Sequence, residues 1–344
     1  MNIQDLIRPT IKALKPYSSA RDEYQGMTDN MVFLDANENP FENGVNRYPD
    51  PHQGTLKAVL AKIKKISTKN ILLGNGSDEV LDLIFRAFCE PNQDNIVILP
   101  PTYGMYEVLA NLNAIGIRKV NLDDAFQPKV DDVLNIADIN SKLLFICSPN
   151  NPSGNSFTSE AIEKMVSNFK GIVVIDEAYI DFSTEKTWLS RLKKFPNLIV
   201  TQTLSKAYAM AGIRLGICYA SEEIITVLNT IKPPYNINKL TQKKAIELLN
   251  IKDLATNQIA DILKERSALI LELKAISYIS KIYPSDANFV LVKVDDANKR
   301  YNQLIEKGIV IRNRTTQPGC ENTLRLTVGT PNENKILIDT LKSI

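Results

Sequence analysis

The sequence predicts an α/β protein, a mainly parallel sheet with helices on both faces, followed by a smaller α+β unit. Three observations carry that expectation. Short β-branched runs alternate with amphipathic stretches through the first two thirds of the chain, and such alternation builds parallel strands joined by helical crossovers. Several runs are apolar at every position rather than every second one, as strands covered on both faces require. At Lys232-Pro233-Pro234-Tyr235 the order of elements changes. Two adjacent prolines continue neither helix nor strand, so this is the expected domain junction.

The elements follow in order. The first 30 residues have too little apolar periodicity to fold alone and are expected to lie as an arm on another surface. Residues 71–73 read as a strand and 77–88 as a helix, with Val80, Leu81, Leu83, Ile84, Phe85 and Phe88 at helical spacing. Residues 96–99 form the next strand and 103–112 the next helix. The runs 143–147, 172–175, 198–201 and 216–220 are continuous apolar strands. Helices over 158–169 and 221–231 open with Thr158 and Ser221 and carry glutamate in the first turn. Those groups satisfy the unpaired N–H groups and suit the helix dipole. Past the junction, 239–250 and 251–276 are helical. Strands over 278–283 and 287–294, a helix over 297–307, strands over 309–312 and 324–328, and a helix over 333–344 complete the chain. The division is thus an arm over 1–30, a large domain over 31–234 and a small domain over 235–344.

Composition narrows the chemistry. The 344 residues correspond to roughly two domains. With 44% hydrophobic and 23% charged residues, the chain is neither disordered nor of low complexity. Its net charge of +2, with no block of one sign, indicates no face for nucleic acid. One histidine, His52, excludes histidine-rich metal sites and leaves a single candidate for any Ser-His-Asp triad. Cys89, Cys147, Cys218 and Cys320 form no CxxC pair, and three of them sit among apolar neighbours as small buried hydrophobes do. Charges interrupt the N-terminus, and apolar runs end at about five residues, short of the ~20 that span a bilayer. The expectation is a soluble protein of a reducing compartment, the cytoplasm.

Four segments are placed to carry chemistry. Lys206 lies just past the strand over 198–201, in Ser205-Lys206-Ala207, with Arg214 eight residues on. Ligands of open α/β sheets bind at that carboxyl edge. A lysine there can form an imine with an aldehyde while Ser205 and Arg214 hold a phosphate, although a lone loop lysine is more often solvated. Asp176 ends another strand and can keep a heteroaromatic nitrogen protonated. By itself it is equally a metal ligand or a helix cap. Ser148-Pro-Asn-Asn-Pro-Ser-Gly154 is a turn by composition, yet its adjacent amides between prolines make a stiff hydrogen-bonding platform. Gly74-Asn-Gly-Ser-Asp-Glu79 joins a strand to a helix, and the N–H groups of Ser77 and Asp78 suit a phosphate. It is neither a Walker loop nor the dinucleotide fingerprint.

In this order on one frame, the segments resemble the fold-type I pyridoxal-phosphate-dependent aminotransferases. SPNNPSG, Asp176-Glu-Ala-Tyr179 and Ser205-Lys-Ala207 carry that resemblance. Leu14-Lys-Pro-Tyr17, Asn46-Arg-Tyr-Pro49, Pro101-Thr-Tyr-Gly-Met-Tyr106 and Leu324-Arg-Leu-Thr-Val-Gly-Thr330 extend it almost end to end and narrow it to the histidinol-phosphate branch. The resemblance implies a seven-stranded, mostly parallel sheet and pyridoxal 5'-phosphate as cofactor. It implies that Lys206 holds the cofactor as an aldimine and moves the proton between substrate Cα and cofactor C4′. Asp176 pairs with the pyridinium N1, Asn151 and Tyr179 hydrogen-bond the phenolic oxygen, and Tyr103 stacks on the ring. Ser77, Asp78, Ser205 and Arg214 hold the phosphate, with Tyr48 reaching in from a partner subunit. Tyr17, Asn151, Arg312 and Arg325 face the substrate, and His52 has no role. The implied reaction moves an amino group between L-histidinol phosphate and 2-oxoglutarate, giving imidazole-acetol phosphate and L-glutamate, in a homodimer with no nucleic-acid or membrane partner. An aromatic amino acid aminotransferase and a threonine-phosphate decarboxylase share the same frame. A ligand-sensing regulator on this body would carry an N-terminal DNA-binding domain, and no helix-turn-helix can be placed in the first 30 residues.

Overall fold

The alternating runs fold into two sheets with helices packed against them in the computed structural model, which describes residues 2–15 and 31–344. The large sheet and its helices comprise α1 (Pro9–Lys12), α2 (Gly54–Lys64), β1 (Ile71–Asn75), α3 (Gly76–Phe88), β2 (Asn95–Ile98), α4 (Met105–Leu112), β3 (Gly116–Lys119), α5 (Val130–Ile136), β4 (Ser141–Cys147), α6 (Ser159–Asn168), β5 (Ile172–Asp176), β6 (Leu198–Thr203), β7 (Leu215–Ala220) and α7 (Glu222–Ile231). Then come α8 (Lys239–Leu249), α9 (Leu254–Leu273), β8 (Ile279–Ile282), β9 (Phe289–Val294), α10 (Ala297–Glu306), β10 (Arg312–Asn313), β11 (Thr323–Thr327) and α11 (Pro331–Ser343).

The first sheet has the order β1-β7-β6-β5-β4-β2-β3. Strands β6, β5, β4, β2 and β3 are parallel neighbours, whereas β7 runs antiparallel to both β6 and β1. The reason is the connection. A parallel return needs a crossover of a dozen residues or more, and the loop over 204–214 holds only a single 3-10 turn, Ala211–Ile213, so the chain doubles straight back. That loop carries Lys206 and Arg214, so the antiparallel return delivers both to one sheet edge.

Alternate residues of the buried strands feed two cores. Val173 and Ile175 point into one with Val200, Leu198 and Ile217, while Ile172 and Val174 join Ile199, Phe85 and Phe145 in the other. This is the two-faced burial that continuous apolar runs require. The second sheet, β10-β11-β9-β8, is antiparallel and packs α9, α10 and α11 around its own core of Val290, Val292, Leu324, Leu326 and Leu337. All four cysteines are buried and free. Among the described residues no helix is long and apolar enough to cross a membrane.

Several details differ from the sequence expectation. The proline pair at 233–234 ends α7, but Ile237 and Ala245 remain in the large sheet's core and α8 packs on α2. The small sheet's own core begins with α9. The strand expected over 309–312 reduces to Arg312–Asn313 because Gly308, at φ +79°, closes α10, and the N–H of Ile309 turns back to Leu304 O. Helices α2 and α5 and strand β3 lie outside the expected set. Strand β3 is a sheet edge with one aliphatic residue in four, and α2 buries only Leu56, Lys57 and Leu60 of a lysine-rich stretch. Of the arm, Ile3 and Ile7 are buried in the core under α3 and α7, and Arg8 pairs with Glu90 at 3.2 Å. Tyr17 lies outside the described residues.

Candidate active site

The carboxyl ends of β4, β5 and β6 lie in register, with Cys147 beside Asp176 and Asp176 beside Thr201. They open into a cavity of about 490 Å³ closed from the other side by β10 and β11. Lining it are Ser77, Asp78, Tyr103, Asn151, Asp176, Tyr179, Ser205, Lys206, Arg214, Arg312 and Arg325. Every site residue named from the sequence is therefore gathered there, apart from Tyr17 and Tyr48. Tyr48 stands outside the cavity of its own chain, stacked on Tyr235 at 4.5 Å between ring centroids.

One end of the cavity is a cradle for an anion. Helix α3 starts at Gly76, so its first turn presents the N–H groups of Ser77 and Asp78, and the helix dipole favours negative charge there. Arg214 lies against that turn. Its carbonyl accepts from the Gly76 N–H at 3.0 Å, its Nη2 is 3.8 Å from Asp78, and its Nη1 is 3.5 Å from Ser205 Oγ. Glycine is needed twice for this approach. A Cβ on Gly76 (φ +74°) would stand 2.5 Å from Arg214 Nη2, and one on Gly216 would stand 2.3 Å from Ser77 N.

The other end is built around a buried carboxylate. Tyr106 Oη donates to Asp176 Oδ2 at 2.7 Å and the Ala178 N–H to Oδ1 at 3.2 Å. Burial pushes the Asp176 carboxyl above its ordinary range, while the Tyr106 hydroxyl acts in the opposite direction. No cation among the described residues pairs with it, so its charge is offset best by a protonated group brought into the cavity. Lys206 Nζ lies 5.9 Å from the centre of the Tyr179 ring. Burial, then Arg325 and Arg214, lower its pKa and favour the neutral, nucleophilic amine. Tyr103 Oη donates to Asp78 at 3.0 Å, which holds the ring over the cavity.

The two asparagines of SPNNPSG divide their work. Asn150 is wholly buried and donates to Pro101 O at 2.9 Å and Ser153 Oγ at 2.7 Å, fixing the loop. Asn151 faces the cavity and accepts from Arg325 Nη1. Arg325 lies over the Phe289 ring at 5.0 Å, and burial, with Arg314 next, lowers its pKa to about 10.

Four residues that shape the site received no role from the sequence. Tyr106, in the first turn of α4, follows Tyr103 by three residues, and the two rings meet edge-on at 5.6 Å between centroids. Arg314 and Gln317 line the cavity after β10, and the signal for Arg314 is its i+2 spacing from Arg312. Glu177 is buried away from the cavity, accepting from Thr187 Oγ1, the Trp188 N–H and Gln202 Nε2, so it braces the loop after β5.

A lysine of lowered basicity, a buried carboxylate without a cationic partner and an anion cradle share one cavity at the carboxyl edge of such a sheet, a donor set that fits pyridoxal 5'-phosphate and an enzyme that uses this cofactor. The chain belongs to the aminotransferase class I and II family, whose model matches residues 22–341. It is 61% identical to a histidinol-phosphate aminotransferase of Flavobacterium johnsoniae, over 99% of this chain and 98% of that one. It is 52% identical to one from Bacteroides fragilis, over 99% and 98%. A solved histidinol-phosphate aminotransferase from Clostridium acetobutylicum superposes with a TM-score of 0.80 at 26% identity, covering 87% of this chain and 90% of that one.

Proposed function

We propose that the protein is a cytoplasmic, homodimeric histidinol-phosphate aminotransferase, interconverting L-histidinol phosphate and 2-oxoglutarate with imidazole-acetol phosphate and L-glutamate. The observation that carries this reading is the meeting, in one cavity, of Lys206 with lowered basicity, the ion-pair-free Asp176 and the α3 cradle. The names of relatives 52% and 61% identical over nearly the whole chain support the substrate.

Each residue then has a task. Pyridoxal 5'-phosphate, when bound, supplies the electron sink for charge developing at substrate Cα. Asp176 holds the ring nitrogen protonated, and Tyr106 keeps that carboxylate ionised and aimed. Ser77, Asp78, Ser205 and Arg214 bind the cofactor phosphate. Asn151 and Tyr179 hold its phenolic oxygen, and Tyr103 covers the ring. Lys206 Nζ takes the proton from substrate Cα and returns one on the product side. Arg325 and Arg312, with Tyr17 of the arm, grip the substrate anion. Tyr48 completes the cofactor phosphate site of the partner subunit. Its position outside its own cavity supports this role, as does apolar surface at Val32 (80% exposed), Leu34 (86%) and Phe41 (80%), which a second copy would cover.

Two measurements test the reading. Purified protein mixed with pyridoxal 5'-phosphate is expected to gain a visible absorbance band that Lys206→Ala loses. Turnover is expected to be fastest with histidinol phosphate. Preference for phenylalanine would instead indicate an aromatic aminotransferase, and release of carbon dioxide from threonine phosphate a decarboxylase.

A further inference from the structure

Strands β10 and β11 place three arginines on one face. Arg312 stands directly opposite Arg325 in the antiparallel register. The Arg314 N–H continues the ladder to Thr323 O at 2.9 Å. Arg314 therefore follows Arg312 by two residues on the same side of the strand. Facing residues of neighbouring strands lie about 5 Å apart, and like charges so placed repel. No carboxylate in the described chain pairs with these guanidiniums, and Arg325 has only the Asn151 amide oxygen and the Phe289 ring against it. The charged and titratable groups that face Arg314 are Arg312, Tyr179 and Cys320, and those that face Arg325 are Arg314, Arg312, Tyr179 and Lys206, with no carboxylate in either set. The Nε atoms of Arg314 and Arg325 are buried without a hydrogen-bond partner, although both residues line the cavity. A fold that gathers three guanidiniums and leaves two of their donors unsatisfied is built for an anion carrying more than one charge.

We propose that Arg314 determines substrate specificity by adding a third guanidinium to the substrate-anion subsite, so that the cavity prefers the dianion of a phosphate monoester to a carboxylate. The inference rests on the proposed substrate and extends it. Two guanidiniums suffice for the single charge of the glutamate α-carboxylate. A phosphate monoester carries close to two charges above its second ionisation near pH 6 and offers three acceptor oxygens. Arg314 is the donor that remains for the extra charge.

The test uses the holoenzyme, whose own phosphate cradle is filled, with inorganic phosphate and acetate as probes in calorimetric titrations. Arg314→Gln is expected to weaken phosphate binding about tenfold to a hundredfold, the loss typical of a charged hydrogen bond. Acetate binding should weaken by only about threefold. The KM for histidinol phosphate should rise by the same large factor and that for glutamate by the small one. In wild type, phosphate affinity should climb as pH rises through the second ionisation, and Arg314→Gln should flatten that climb. Arg314→Lys, which keeps a charge but not the fork, should lie between. Loss of like-charge repulsion should leave the ligand-free variant at least as heat-stable as wild type, whereas a merely structural arginine would lower its melting temperature. Equal losses for phosphate and acetate, or no loss for phosphate, would overturn the proposal. If wild type failed to turn over histidinol phosphate yet bound inorganic phosphate through Arg314, the substrate reading would fall and the subsite would stand. Turnover of histidinol phosphate that ignored Arg314→Gln would remove the subsite and leave the substrate reading in place.

Discussion

Gly216→Ala isolates the cradle from the chemistry. The added methyl would lie 2.3 Å from Gly76 C and from Ser77 N, both backbone atoms, where real Cβ contacts stay beyond 3.0 Å. The strand and the first turn of α3 must therefore separate by about 0.7 Å, with no flexible side chain to absorb the shift. Overpacking of this kind costs about 1–3 kcal/mol, which lowers the melting temperature of the apoprotein by roughly 1–4 °C. The displaced atoms include the Ser77 N–H aimed at the cofactor phosphate. Affinity for pyridoxal 5'-phosphate should fall by about tenfold to a hundredfold, the loss expected when one charge-assisted hydrogen bond is misplaced. The assay pairs thermal denaturation of the apoprotein with a cofactor titration followed by absorbance. Gly212→Ala is the matched control. It sits in the loop that carries Lys206, nothing lies within 4 Å of its added methyl, and it should change neither quantity. Wild-type cofactor affinity in Gly216→Ala, or equal damage from Gly212→Ala, would refute the close-approach argument.

Other perturbations separate the remaining roles. Asp176→Asn should retain the cofactor but lose most turnover, because a neutral amide cannot hold the ring nitrogen protonated; near-wild-type rates would contradict the assignment. Tyr106→Phe removes the hydroxyl that favours ionised Asp176, so the acid limb of the pH–rate profile should move to higher pH, whereas a purely packing role would leave it in place. Lys57 is buried near Lys232, and burial first, then that charge, lowers its pKa to about 8. Between pH 8 and 10.5 the unfolded chain thus binds more protons than the folded one, and this group makes stability rise with pH there. Lys57→Met should be more stable than wild type near pH 7, with the difference vanishing above pH 10.5; a constant difference would show that charge is not the cause. For Tyr48, a Lys206 variant and a Tyr48 variant are refolded together. A site shared between subunits leaves one intact site in each mixed dimer, so activity should return, and its absence with mixed dimers present would refute the shared site.

How much of this was legible in the sequence depends on the range of the signal. Local patterns determined the class of fold, most helix and strand positions and the placing of Lys206, Arg214, Asp176 and the SPNNPSG turn, because strand ends and turn residues mark the carboxyl edge where ligands bind, whereas the choice of Asn151 within that turn rested on the family resemblance. Periodicity could not find β3, since an exposed edge strand need not be apolar, nor keep α8 with the large sheet, since that depends on which surface Ile237 and Ala245 reach. Tyr106 ends a motif quoted from the sequence, yet only the fold shows its use, where its hydroxyl meets Asp176. Glu177 sits in a motif beside Asp176, yet packing turns it away from the cavity to brace a loop. Arg312 and Arg325 are thirteen positions apart in the chain, and only the antiparallel register sets them face to face and brings Arg314 into the same field. Short-range chemistry determines which elements form. Which side chains share an electrostatic environment is decided by the pairing of strands distant in sequence, because the charge on one guanidinium acts through space on whichever residue the sheet places opposite it.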